Sequence, residues 1–231
     1  MLAEYDDACW KATDALAATS PARGSRRFFA RKVGNTWWVV FGRPTADRSA
    51  FAVEYEATWA PGTQRAFGRK IMPPRMETNS DWLNFSRALD TVLPTYKPPT
   101  TNMNYAVLPA PNGYYVYFYP GSTEQGVYLL GGDSRYLVSR DLSRILEARP
   151  LHKSIIPYSA EPGKTIALGY HTAIVDNVPE DTDVFHVLQR RPSVPELVVT
   201  HDYVYKIFNN GTIKYMGTAA DLENNKLHVE D

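Results

Sequence analysis

Cysteine is almost absent: Cys9 is the only one in 231 residues. No intrachain disulfide can form, and no thiolate cage for zinc can be built. A surplus of charge is missing as well. Lys+Arg and Asp+Glu each number 25, so the formal net charge is zero, whereas a nucleic-acid binder needs excess cations to displace phosphate counterions. The local run Arg23, Arg26, Arg27, Arg31 and Lys32 reads as the solvated edge of a strand. No apolar run approaches the ~20 residues of a membrane span, and no signal peptide is visible. The expectation is a soluble chain with no nucleic acid and no membrane span among its partners. Cytoplasmic and exported locations both stay open, since a removed leader would leave the same sequence. Familiar catalytic signatures are lacking too: no Gly-rich phosphate loop, dinucleotide fingerprint, Gly-x-Ser-x-Gly elbow or His-Glu-x-x-His helix.

Aromatics, by contrast, are plentiful at 13%, with 15 Tyr, and they fall in strand-like runs, because flat rings pack well on a pleated surface. Tyr5, Ala8, Ala12 and Leu16 recur at helical spacing, and Cys9 sits among them as a small hydrophobe; Ser20-Pro21 and Gly24 are expected to end that helix. Phe28–Val33 and Thr36–Gly42 flank Gly34-Asn35, a hairpin signal because both turn residues tolerate positive φ. Phe51–Trp59 alternates as a third strand, and a fourth is expected near Ala66–Ile71. One helix followed by a meander resembles cystatin-like and PepSY-like modules in element order, which implies nothing about activity.

Pro73-Pro74 reads as a separator. After it Asn79-Ser80-Asp81 can cap a helix with the apolar stripe Trp82, Phe85, Leu89 and Val92. Beyond the Pro-rich stretch 94–109 lies a series of hairpin-like pairs. Gly113–Tyr119 is expected to return through Gly126–Leu130, and Asp141-Leu142-Ser143 to turn between two strands. Lys164–His171 reads as a strand, Tyr203–Phe208 and Thr212–Tyr215 as a hairpin over Asn209-Asn210-Gly211, and the tail from Asp221 as frayed. The fold class expected is α+β, with two small domains, residues 1–75 and 76–231, each a mostly antiparallel sheet with one or two packing helices.

Chemistry-bearing residues concentrate in the second half. Gly131-Gly132-Asp133 reads as a tight turn rather than a ligand loop. His152, His171, His186 and His201 stand at or near strand ends. Imidazole is a common metal ligand, yet none of their spacings marks a site, and a lone strand-end histidine is more often a hydrogen-bonding residue. One stretch sharpens the question. Ala167-Leu168-Gly169-Tyr170-His171-Thr172-Ala173 is followed by Pro179-Glu180-Asp181-Thr182-Asp183, then Leu197-Val198-Val199-Thr200, then Tyr203–Ile207 and Gly211. This resembles the core of JAMM/MPN-type metalloproteases, in which a strand ending His-x-His precedes Ser-x-x-Asp at a helix start. The resemblance implies zinc held by His171 and Asp183. Ala173 occupies the second histidine position and Glu180 the serine position. Glu147 is the nearest upstream glutamate for activating a water. If residues 182–190 are helical, Asp183 and His186 share a face at i, i+3, so His186, or else His152, is available as third ligand.

The leading expectation is a non-catalytic binding or structural protein with no cofactor. Tyr115, Tyr117 and Tyr119, on one face of an alternating strand, offer a surface for a protein or glycan partner, unless that face is core. The alternative is a JAMM-like metal-dependent hydrolase of amide or isopeptide bonds. In that version zinc sits on His171, Asp183 and His186 or His152, with Glu180 or Glu147 as base.

Overall fold

The computed structural model describes residues 1–19, 26–159, 166–224 and 226–227. Arg23, the expected end of the first helix at 20–24 and part of the polar tail lie outside them. The chain separates into two compact units that interleave along the sequence. The first takes residues 1–97, 105–117 and 135–148, and the second takes 98–104, 118–134 and 149–231. The helix after Pro73-Pro74, expected beyond the boundary at 75–76, lies in the first.

In the first unit, α1 (Leu2–Thr19) buries Tyr5, Ala8, Cys9 and Ala12, the one-face spacing read from the sequence. Strands β1 (Arg27–Val33), β2 (Thr36–Pro44), β3 (Phe51–Trp59) and β4 (Phe67–Glu77) form an antiparallel meander in that order. Gly34 takes φ +60° in the β1–β2 turn, and Val33 pairs with Thr36 across it. Pro73-Pro74 does not separate anything: it lies inside β4, opposite a register shift between Val53 and Tyr55. An edge strand tolerates prolines there because no ladder needs their missing N–H. Helix α2 (Asp81–Val92) is capped by Ser80, whose side chain accepts the Leu83 N–H. Tyr5 of α1 meets Trp37 edge-on at 5.9 Å, while Phe85 of α2 meets Phe29 at 6.1 Å. Trp37 and Phe29 point to opposite faces, since Lys32 pairs with Trp37 and side chains alternate along β1. The sheet therefore carries a helix on each side. The basic run is matched by acids: Arg26 pairs with Glu54, Arg27 with Asp90, Arg31 with Asp81 and Lys32 with Glu4.

A second sheet, of order β5-β6-β8-β9, comprises β5 (Met103–Ala110), β6 (Gly113–Pro120), β8 (Ser134–Ser139) and β9 (Ile145–Pro150). Its residues 105–117 and 135–148 belong to the first unit, where Tyr105 stacks on Phe28 at 4.7 Å. The expected return of β6 through β7 (Val127–Gly131) does not form. β7 pairs instead with β10 (Ile155–Ser159), Gly131 opposite Ile155.

The second unit contains that two-stranded ribbon and a sheet of order β11-β12-β13-β14. Here β11 (Gly169–Thr172) runs parallel to β12 (Glu196–Val199), and α3 (Asp181–Gln189) connects them. β13 (Tyr203–Ile207) and β14 (Ile213–Thr218) continue antiparallel, the hairpin over Asn209-Asn210-Gly211. Of the expected strand 164–171, residues 164 and 165 lie outside the described part, and regular pairing starts at Gly169. One sheet face packs Ala173, Val198 and Ile207 on Val187 of α3. The other packs Leu197, Val199 and Val204 near Leu222 of α4 (Ala219–Glu223), so part of the tail expected to fray is helical. α3 also lies against β7. The ribbon, the crossover helix and the edge strand β11 thus meet around the helix N-terminus.

Candidate metal centre

Five buried ionisable residues come together at that meeting point. His171 is mid-strand in β11. Asp183 is the third residue of α3, where its Oδ2 accepts the Glu180 N–H at 2.7 Å, a helix-start interaction that satisfies one orphan donor. His152 lies in the short link between β9 and β10. Asp133 follows Gly131 and Gly132, both at positive φ (+83° and +67°), and its carbonyl accepts the Leu151 N–H at 3.0 Å. A side chain on Gly131 would collide with the Ser154 carbonyl just before β10, and one on Gly132 with Ile155 at its start, so the double glycine lets the turn close against β10 and brings Asp133 beside His152. Glu196 opens β12 directly opposite Gly169.

Three donor atoms converge. His152 Nε2 lies 2.9 Å and His171 Nε2 3.0 Å from Asp183 Oδ1, and all three atoms fall within 4.8 Å of one another. None of the three has a hydrogen-bond partner of acceptable geometry, although the Asp183 side chain is 0% exposed and that of His171 2%. Buried polar atoms left without hydrogen bonds are costly unless something else satisfies them. Without a metal, the two Nε2 atoms are left with only the ion-pair contact to Asp183 Oδ1. Zinc bound at 2.0–2.1 Å by tetrahedral ligands would space the ligand atoms about 3.3 Å apart, within about 0.4 Å of the two short edges here. His152, His171 and Asp183 are therefore the residues that could hold a divalent metal.

The other imidazole nitrogens face carboxylates. His152 Nδ1 donates to Asp133 Oδ1 at 2.7 Å, and His171 Nδ1 donates to Glu196 Oε1 at 2.9 Å; ionised carboxylates only accept, so Nδ1 carries the hydrogen in both rings. Glu196 is also paired with Arg190, which is anchored through its second amino group to the Val194 carbonyl at 2.7 Å. Burial alone would lower both imidazole pKa values. The flanking carboxylates overcome it, raising His152 to about 10 and His171 to about 9. Burial would likewise raise Asp133 and Asp183, but the imidazoles beside them hold both well below the usual carboxylate range.

The remaining candidates stand elsewhere. His186 is on α3, but its Nε2 accepts the Gly131 N–H at 3.4 Å and lies 3.5 Å from Asp133 Oδ2, one layer behind the three donors. His201 is exposed beside Asp202. Glu180 is buried against Arg149, and Glu147 belongs to the first unit, where it pairs with Arg135. Ala173 packs in the core with Val187 and Val198, so the position that the resemblance would give to a second histidine holds no donor, and the second imidazole beside Asp183 is His152. The tyrosine stripe is not an open surface. Tyr117 and Tyr119 are 5% and 2% exposed, Tyr119 against Phe185, and Tyr115 lies under the Arg135 guanidinium at 5.0 Å.

Sequence reasoning missed Asp133, Glu196 and Arg190. Gly131-Gly132 was the available signal for the first, since two glycines before an acid mark a turn tight enough to aim it. Nothing local marks the other two. No protein-family model, curated protein or solved structure matches the chain.

Proposed function

We propose that this is a zinc-binding protein whose second unit carries a hydrolase-type centre, with His152, His171 and Asp183 as ligands, acting on amide or isopeptide bonds. The observation that carries the reading is the convergence of two Nε2 atoms and one carboxylate oxygen, buried and unsatisfied by hydrogen bonds. Structural zinc sites close the ion with four protein ligands, usually including cysteine. Catalytic ones use three and leave a position for water. Three nitrogen and oxygen donors correspond to the second kind. The bond class comes from the resemblance of residues 167–211 to JAMM/MPN proteases, in which a strand histidine and a helix-start aspartate are likewise ligands. When bound, zinc supplies an activated water and polarises the scissile carbonyl. The chain's own residues hold the two imidazoles with Nε2 inward, and the peptide N–H of Glu180 holds Asp183 Oδ2 so that Oδ1 faces them.

A second reading, of a zinc-organised binding protein without turnover, is favoured by a specific observation. Both glutamates that the resemblance offers as base are committed to arginines. One experiment separates the two. Protein purified without chelator is analysed for zinc and assayed with fluorogenic peptides and an ε-linked lysine isopeptide, before and after EDTA. One equivalent of zinc with EDTA-sensitive cleavage is expected. One equivalent without cleavage selects the second reading. Less than a tenth of an equivalent, even after zinc is supplied, overturns both.

A further inference from the structure

We infer that Asp133 and Glu196 are the positioning residues of this centre and that they act unequally, Asp133 holding His152 as the stronger of the two imidazole ligands. The inference rests on the zinc reading and goes beyond it by ranking the groups behind the ligands. A carboxylate accepting the Nδ1–H of a metal-binding histidine fixes its tautomer, orients the ring and makes Nε2 more basic. Both rings have such a partner, at 2.7 and 2.9 Å. The partners differ on their far sides. The second oxygen of Glu196 is bound by the Arg190 guanidinium, itself locked to the Val194 and Pro195 carbonyls at 2.7 and 3.3 Å. That cation draws charge away from the carboxylate and leaves less to pass to His171. The second oxygen of Asp133 has no hydrogen-bond partner among the described residues. His186 Nε2 lies 3.5 Å from it, a more distant partner than the guanidinium that grips Glu196. Asp133 therefore shares less of its charge than Glu196, which a guanidinium binds directly, and delivers it through the shorter of the two hydrogen bonds.

The unequal roles are read in metal affinity and in spectra, not in turnover. Zinc affinity is measured by competition with a chromogenic chelator for the wild type, Asp133→Asn and Glu196→Gln. Each amide keeps the size and one acceptor oxygen while removing the charge. Asp133→Asn is expected to weaken zinc binding by about 10–100-fold and to shift the visible bands of the cobalt-substituted protein. Glu196→Gln should cost clearly less. Because Glu196→Gln leaves Arg190 buried without its acid and can fail to fold, the wild-type zinc protein gives a second measurement. With ¹⁵N-labelled histidine, the Nδ1–H proton of His152 is expected farther downfield than that of His171. Wild-type affinity in Asp133→Asn, a larger loss in a folded Glu196→Gln, or the reverse order of the two proton shifts would overturn the ranking. A wild type that binds no zinc would instead remove the reading beneath it.

Discussion

At the scale of single residues, the four titrating groups His152, His171, Asp133 and Asp183 make opposite demands on pH. His152 and His171 are raised to about 10 and about 9 from an ordinary 6.5. A histidine whose folded pKa lies above its unfolded value contributes stability that is complete below about 6.5 and is lost as pH rises through 9–10. Asp133 and Asp183 are lowered from 3.8, so their contribution is present above about 4 and is lost as pH falls through their depressed folded values. The metal-free protein should therefore be most stable between about pH 4 and 6.5 and should weaken steadily above. Thermal midpoints in EDTA are expected to fall by several degrees between pH 6 and 9.5. Zinc demands neutral imidazoles and competes with those protons, so the stabilisation it gives should grow over the same interval. A flat midpoint in EDTA would mean that the imidazoles are not held charged by Asp133, Asp183 and Glu196.

At the scale of elements, β11 and β12 set the distance between His171 and its supporting acid through Gly169. A Cβ there would run into Glu196 Oε2 and the Arg190 guanidinium, and both groups are buried, so the ion pair has nowhere to retreat. Gly169→Ala should destabilise the protein by about 1–3 kcal/mol, the cost of leaving a buried polar group badly paired. It should also loosen zinc binding without touching a ligand. A denaturant melt and the same competition titration check both, and an unchanged midpoint would show that β11 can shift aside. This element also shows where the sequence was readable. His171, the helix start at Glu180–Asp183 and the stripe of α2 lie within local windows where period and capping chemistry are decisive. His152 could be named only as one histidine among several. Its place depends on β7 pairing with β10 rather than β6, a long-range choice, and β10 carries Pro157, which weakens any strand signal. Pro73-Pro74 misled for the complementary reason: its register shift on an edge strand is a sheet property with no local signature. Glu196 and Arg190 are met only across a parallel pairing that residue spacing does not encode.

At the scale of the whole chain, the proposed ligands and their supporting acids all fall within the second unit, whereas all five tryptophans, Trp10, Trp37, Trp38, Trp59 and Trp82, lie in the first. A metal bound by His152, His171 and Asp183 ties the link before β10, strand β11 and helix α3 to one point, and Asp133 extends that tie to the turn after β7. It stabilises the folded form of these segments by mass action, about 2.7 kcal/mol when free zinc is a hundredfold above its Kd. That is enough to move a transition by several degrees. Tryptophan fluorescence reports the surroundings of α1, the first sheet and α2, while far-UV circular dichroism sums both units. Zinc added to chelated protein should therefore raise the transition seen by circular dichroism and leave the tryptophan-detected one close to its original temperature. Coincident shifts in both signals would show that the stabilisation is not confined to the second unit and that the chain unfolds as a single cooperative body. No shift in either would mean that the three convergent donors are satisfied without an ion.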